Sequence, residues 1–103
     1  MPYGSMSDEL AIILNGQGIA HHSPQEPTTS TYARIDVVFA GALDESFDVD
    51  LVENDVPAIV NAIFEHITSR DYAKNEHVCV DAYETNGEEY NERIYVRAGV
   101  SNA

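Results

Sequence analysis

The segment spanning residues 56–67 constrains the fold most, because its apolar side chains recur with the period of an α-helix. They fall at i, i+3, i+4, i+7, i+8 and i+11, namely Val56, Ile59, Val60, Ile63, Phe64 and Ile67. This spacing puts a single apolar stripe along one face of a helix. Asn54 or Asp55 is expected to cap the helix, and Pro57 suits its first turn, where a missing N–H costs nothing. We expect the helix to end near residue 70 or 72.

Two stretches before this helix and two after it alternate apolar and polar residues, which predicts four strands. The first strand covers residues 32–40 and the second residues 45–52, joined by a turn at residues 41–44. Alternation in the second strand predicts two faces: inward Phe47, Val49 and Leu51, and outward Ser46, Asp48 and Asp50. The third and fourth strands are defined by the apolar sets Val78, Val80 and Ala82, and Ile94, Val96, Ala98 and Val100.

The dipeptide Asn86-Gly87 is a turn signal between the third and fourth strands. A strict two-residue turn there would pair Val80 with Arg93 and so place an arginine opposite a core residue. The apolar pattern therefore predicts an odd-length loop or a bulge between these strands.

The N-terminal part is compatible with two structures. Residues 7–15 fit a helix with Ser7 as N-cap and Asn15-Gly16 as its end, but Leu10, Ile12 and Leu14 also alternate as in a strand. We prefer the helix. Residues 16–30 are rich in Gly, Pro, Ser and Thr and are expected to form a long flexible polar loop. Residues 1–5 have the form of a cloning remnant before a native start at Met6, and we set them apart from the fold.

These elements together predict one α+β domain, since 103 residues is a single-domain length. Its core, residues 31–103, is a four-stranded antiparallel sheet of two hairpins, packed by one amphipathic helix in the order β-β-α-β-β. Residues 6–30 supply the short N-terminal helix or strand and the loop. No apolar run approaches the roughly 20 residues of a membrane span, so no membrane partner is expected.

Charge is the outlying property of this chain. Eighteen acidic residues against five basic ones give a formal net charge of −13 at pH 7. Self-repulsion of this size destabilises a compact chain unless something offsets it, such as a saline environment, a cationic partner or mimicry of a polyanion. Nucleic acid itself is not expected as a direct ligand. A protein with a Lys/Arg-rich surface, above all a nucleic-acid-binding complex, is the expected partner.

Catalytic and metal-binding patterns are weak. The four histidines, His21, His22, His66 and His77, include no i, i+4 pair, so no metal site is expected. The carboxylates lie on predicted open faces, and Gly16-Gln17-Gly18 lacks the third glycine of a dinucleotide site. We expect no enzyme and no cofactor. Cys79 is the single cysteine and is expected to be structural in a strand; without an export signal, a cytoplasmic location is expected.

The acidic side chains carry the main functional hypothesis. Alternate strand residues project about 6.5 to 7 Å apart on one face, so Asp44, Asp48 and Asp50 are expected to form an exposed row. Such a row repeats negative charge as a nucleic-acid backbone does. Exposed tyrosines are favoured at interfaces. The residues assigned to partner binding are Asp44, Asp48, Asp50, Glu53, Asp55, Glu84, Glu88, Glu89, Glu92, Tyr83 and Tyr95.

In size and charge the chain resembles the small acidic proteins that phages make against host defence, such as anti-CRISPR and DNA-mimic anti-restriction proteins. This resemblance is one of composition, includes no diagnostic motif and assigns no residue. It implies a non-enzymatic inhibitor that blocks the nucleic-acid-binding surface of a host complex. The alternatives are an oligomeric phage tail or head assembly subunit, an acidic immunity protein, a halophilic domain, and a merely solvated acidic surface.

Overall fold

The computed structural model describes residues 6–22, 32–85 and 93–99. In chain order the described elements are α1 (Met6–Gly16), β1 (His21–His22), β2 (Tyr32–Phe39), β3 (Ala42–Asp50), α2 (Val56–Thr68), a short 3-10 helix (Asp71–Ala73), β4 (Val78–Glu84) and β5 (Val96–Gly99). The strands form one antiparallel sheet in the order β1-β3-β2-β4-β5.

This architecture confirms the predicted α+β fold. Two hairpins, β2–β3 and β4–β5, flank α2 in the predicted order, and α2 packs against β4 and β5. The two-residue strand β1 was not predicted, and it adds to the free edge of β3. It lies within the stretch of residues 16–30 that the sequence assigns to a polar loop; residues 23–31 lie outside the described part of the chain.

Helix α2 has the predicted start and a shorter end. The Asp55 side chain caps it by accepting the N–H of Ala58 at 3.2 Å, and a proline occupies the first turn. The helix stops at Thr68 rather than near residue 70 or 72, where the 3-10 helix takes over. Its apolar stripe is buried against the sheet, through Val56, Ile59, Val60, Ile63 and Ile67. Phe64 is only partly covered.

The β2–β3 turn differs from the prediction. It consists of Ala40 and Gly41, whose positive φ angles of 55° and 82° match the type I′ turn that favours two-residue hairpins. Strand β3 therefore runs over Ala42–Asp50 instead of residues 45–52. The register shifts once: Val38 lies opposite Leu43, whereas Val37 lies opposite Glu45. Asp44 is the extra residue of a β-bulge at this shift.

The β4–β5 register joins apolar residues to each other, as the pattern predicts. Val80 lies opposite Ala98 and Ala82 opposite Val96, so Val80 does not face Arg93. Ile94, which the sequence places in the last strand, precedes β5 and is 38% exposed. Asn86-Gly87 and Val100 lie outside the described residues.

The N-terminal segment is a helix, which settles the choice between helix and strand. It begins at Met6 rather than after Ser7, and it ends at Gly16, as the Asn15-Gly16 signal predicts. The N–H of Ile19 bonds to the carbonyl of Leu14 at 2.9 Å, and that of Gly18 bonds to Asn15 at 3.1 Å. These are the two bonds of a Schellman motif, in which Gly18 takes the left-handed position at φ 71°.

The core lies between the helices and the inner face of the sheet. Leu10, Ile13 and Leu14 of α1 join the buried stripe of α2 and the inward residues of β2–β5 in one apolar cluster. Among residues 6–22, 32–85 and 93–99, neither α-helix combines the length and the hydropathy that a bilayer crossing demands.

Candidate partner-binding surface

The sheet face opposite the helices carries alternate polar residues of four strands. We call it the outer face. The strand registers align its residues in two rows, Ser46–Asp36–Asp81–Arg97 and Asp48–Arg34–Tyr83. Each row places an arginine beside an aspartate, Arg97 beside Asp81 and Arg34 beside Asp48, so the outer face compensates much of its own charge.

Asp48 is the clearest departure from the expected acidic row. Its side chain is fully buried and accepts hydrogen bonds from Arg34, at 3.0 Å from Nε and 3.4 Å from Nη2. Arg34 lies directly opposite it on β2, and His22 of β1 lies opposite it on the other side. The prediction that Asp44, Asp48 and Asp50 form an exposed row is therefore wrong, because pairing across strands covers its middle residue.

A second buried carboxylate occupies the other row. Asp81 is 5% exposed and accepts hydrogen bonds from Arg97, with Nη2 at 3.0 Å, and from the Cys79 thiol at 3.3 Å. Burial, followed by the hydrogen bond to Asp81, raises the pKa of the Cys79 thiol to about 11. The bond to Asp81 likewise raises the pKa of Arg97. Cys79 is thus a protonated, structural thiol at neutral pH, and Asp81 is not a free surface charge.

Four of the predicted acidic residues lie at the same end of the sheet, which we call the acidic end: Asp50, Glu53, Asp55 and Glu84. Strand pairing places Asp50 opposite Tyr32 and Glu84 opposite Ala33, at the start of β2. The turn after Asp50 leads directly into α2. Glu53 and Asp55 are exposed, whereas Asp50 and Glu84 are half-buried.

Backbone amides hold two of these carboxylates in place. Asp50 Oδ1 accepts the N–H of Val52 at 2.8 Å and of Glu53 at 3.2 Å. Asp55 caps α2, as described above. Amide donors orient a carboxylate but carry no net charge, so they leave its negative charge in place. The carboxylates of Asp50 and Asp55 are therefore oriented by the fold and keep their negative charge.

A half-open cleft of about 410 Å³ lies at the acidic end. Its lining residues are Gly18, Ala20, Tyr32, Asp50, Glu53 and Asn54. Two of its six lining residues are acids, so its chemistry suits a cationic or polar group rather than an anion.

The remaining predicted residues are dispersed. Asp44 is exposed, but as the bulge residue near the Ala40–Gly41 turn it lies at the opposite end of β3 from Asp50. Tyr95 is 43% exposed, as expected for a surface tyrosine. Tyr83 is half-buried on the outer face, and burial raises its pKa. Glu88, Glu89 and Glu92 lie outside the described residues, in the segment between β4 and β5.

One charged cluster joins residues that no local sequence pattern links. Glu9 of α1 is 7% exposed, and its Oε2 atom lies 2.7 Å from His66 Nε2 and 3.4 Å from Arg70 Nη2. His66 is partly covered. The sequence places Glu9 only in the first turn of a helix, and nothing local links it to residues on α2.

The histidines form no metal site in the described part of the chain, where no group of three or more His, Cys, Asp or Glu side chains converges. His21 instead packs edge-on against Phe47, with ring centroids 5.7 Å apart. It is thus part of β1 and half-buried, not a solvated loop residue.

No family model, curated protein or solved structure matches this chain.

Proposed function

We propose that this protein is an acidic, non-enzymatic inhibitor that uses its acidic end to bind the basic nucleic-acid-binding surface of a host defence complex or another nucleic-acid-handling complex. The partner carries a Lys/Arg-rich surface, and the protein occupies the place of DNA or RNA. The proposal narrows the surface suggested by the sequence, because Asp48 is withdrawn from it and Asp50, Glu53, Asp55 and Glu84 remain.

The distribution of the cations carries the proposal. Arg34, Arg70 and Arg97 form ion pairs with Asp48, Glu9 and Asp81, each of which is buried. Removing these three pairs from eighteen acids and five bases leaves fifteen acids and two bases to set the external field. Internal pairing thus uses most of the basic residues on acids that face no partner. What the protein presents outward is more one-sided than its composition.

An acidic surface of this kind has known physical consequences for binding. It accelerates encounter with a basic partner, and its contribution weakens as salt screens the charges. The capped carboxylates of Asp50 and Asp55 are held by backbone hydrogen bonds before a partner arrives. Little side-chain entropy is then lost when these two groups are engaged.

The test compares two triple variants of equal charge. The acidic-end variant carries Asp50→Asn, Glu53→Gln and Asp55→Asn; asparagine keeps the turn and cap acceptors while removing charge. The far-end variant carries Asp44→Asn, Asp71→Asn and Glu76→Gln, three exposed acids at the opposite end of the sheet. An oligoarginine peptide serves as the basic probe. We expect the acidic-end variant to bind it about tenfold more weakly than the far-end variant at low salt.

The inhibitor part of the proposal is tested by a pull-down from a host lysate. The host proteins of interest are those that the wild-type protein retains and the acidic-end variant does not. Their release by added DNA or RNA, and loss of retention at high salt, are the expected results. Equal probe binding by the two triple variants, or retention indifferent to nucleic acid, would contradict the proposal. Ring-sized particles in gel filtration would favour an assembly subunit. Unfolding at low salt with recovery in molar salt would favour a halophilic domain.

A further inference from the structure

We propose that α1, its Schellman cap and β1 open from the rest of the domain as one unit, that Glu9 is the latch holding this unit closed, and that opening removes one wall of the acidic cleft. We call residues 6–22 the N-terminal unit. Its effect on partner binding depends on the function proposed above, whereas the opening itself does not.

The latch is a carboxylate shared by two donors on α2. A carboxylate oxygen only accepts hydrogen bonds, so the 2.7 Å contact places a proton on His66 Nε2, which donates it to Glu9 Oε2. Arg70 Nη2 donates to the same oxygen at 3.4 Å. The 3.2 Å approach of Arg70 Nη2 to His66 Nε2 follows from this shared acceptor, since both nitrogens are then donors.

Glu9 is the buried partner in this cluster, and the donors are not. Its side chain is 10% exposed, against 25% for His66 and 43% for Arg70. On opening, His66 and Arg70 can be solvated where they are, while Glu9 leaves with α1. The Arg70 ion pair and the His66 hydrogen bond to Glu9 are therefore lost when the two helices separate.

The apolar attachment of the unit is small. Among its described side chains, Leu10, Ile13 and Leu14 are the buried apolar ones, Ile19 is partly covered, and His21 packs against Phe47. β1 contributes a pairing of only two residues with β3. The central strand β2, by contrast, pairs with a neighbour along both edges. Segments with few buried contacts open locally at lower free energy than the core of a sheet.

The cleft is connected to the latch through the helix cap. Gly18 and Ala20, which line the cleft, follow α1 directly. The Schellman bonds from Gly18 and Ile19 back to Asn15 and Leu14 fix this corner to the helix. When α1 leaves α2, the cleft wall formed by Gly18 and Ala20 moves with it, and the side containing Asp50 and Glu53 remains on the sheet and turn.

Hydrogen exchange of the full chain tests the opening. In Glu9→Gln, the amides of α1 should exchange about tenfold faster than in the wild type, while those of β2 and β4 keep their rates. Glu65→Gln is the matched control, because Glu65 is exposed on α2 beside His66 and its removal should change neither set. His66→Gln should accelerate α1 alone, by a smaller factor.

Unchanged α1 exchange in Glu9→Gln would overturn the proposal. Equal acceleration of α1, β2 and β4, or an unfolded variant, would also overturn it, since the sheet would then depend on the latch.

A second experiment adds saturating oligoarginine to the wild type. Because coupling is reciprocal, binding at the cleft should slow α1 exchange. No slowing would overturn the link to the cleft. Equal oligoarginine binding by the two triple variants would instead remove the proposed function and leave the latch result intact.

Discussion

The outer face and the acidic end are both rich in acidic residues, yet their carboxylates accept hydrogen bonds from different kinds of donor. On the outer face, Asp48 and Asp81 are buried and paired with arginines on neighbouring strands. At the acidic end, Asp50 and Asp55 are bound by backbone N–H groups, which orient them and leave their charge uncompensated. The difference shows that a count of acids along a strand does not measure the charge that a partner meets.

The largest effect on stability is expected from removing an ion pair on the outer face. Replacing Arg34 by alanine leaves the carboxylate of Asp48 buried without its cation, which should lower the free energy of unfolding by about 3 kcal/mol. Urea denaturation monitored by circular dichroism measures this loss. The control is Asp44→Ala, an exposed acid, for which a change within about 0.5 kcal/mol is expected. An Arg34→Ala protein as stable as the control would mean that Asp48 is solvated.

The second prediction is that alkaline pH lowers the stability of the protein through a thiol on the outer face. The Cys79 pKa rises from its ordinary 9.0 to about 11 in the folded protein. Well below pH 9 this thiol is protonated in both the folded and the unfolded state, so its raised pKa does not change the free energy of unfolding. As pH rises toward 11, the unfolded chain loses the proton first, so stability should fall by about 2 kcal/mol. The raised pKa of Tyr83 acts in the same direction.

Unfolding free energies of the wild type and Cys79→Ser, measured from neutral pH to pH 11, check this prediction. Serine keeps a hydroxyl donor for Asp81 but does not ionise in this range. The wild type should therefore lose more stability than the serine variant. Parallel pH profiles would contradict a buried, hydrogen-bonded thiol.

A smaller effect separates capping from charge at the acidic end. Asp55→Ala removes the acceptor for the Ala58 N–H and should cost about 1 kcal/mol, because an unsatisfied helix terminus remains. Asp55→Asn keeps an acceptor and should cost little. Thermal unfolding of the two variants gives the comparison. Equal losses would attribute the role of Asp55 to its charge and not to its cap.

The smallest effect is expected from the acidic-end triple variant of Asp50, Glu53 and Asp55. Removing three repelling charges while keeping the caps should leave stability unchanged or raise it by up to about 1 kcal/mol at low salt. The gain should disappear as salt increases. A salt-independent loss of stability would show that these carboxylates are needed for the fold, and the comparison with the outer face would fail.

Local signals account for what the sequence predicts well. The stripe of α2, its Asp55 cap and the proline in its first turn are all set within a few residues, and each is present. The α+β architecture follows from the order of these patterns. Tyr95 is likewise exposed, as its position outside the apolar alternation predicts.

The burial of Asp48 depends on register, which the sequence does not specify as clearly. A turn at residues 41–44 would place Leu51 opposite Arg34. The tighter Ala40–Gly41 turn alone would place Phe47 there, and the bulge at Asp44 shifts the pairing by one residue to Asp48. Alanine is a weak signal for a positive φ angle, and a bulge has no signature in this stretch. The pairing of Glu9 with His66 joins residues 57 positions apart and is equally invisible to a local pattern.

The bulge at Asp44 also bears on self-association. β1 pairs with β3 only at Asp48 and Val49, so the first six residues of β3 have an open edge in the described part of the chain. A flat open edge invites a strand from another molecule and so promotes aggregation. Asp44 interrupts the regular spacing of donors and acceptors along this edge, and Glu45 beside it adds a second negative charge. We expect the same extra residue that brings Asp48 opposite Arg34 also to discourage edge-to-edge pairing between copies of the protein.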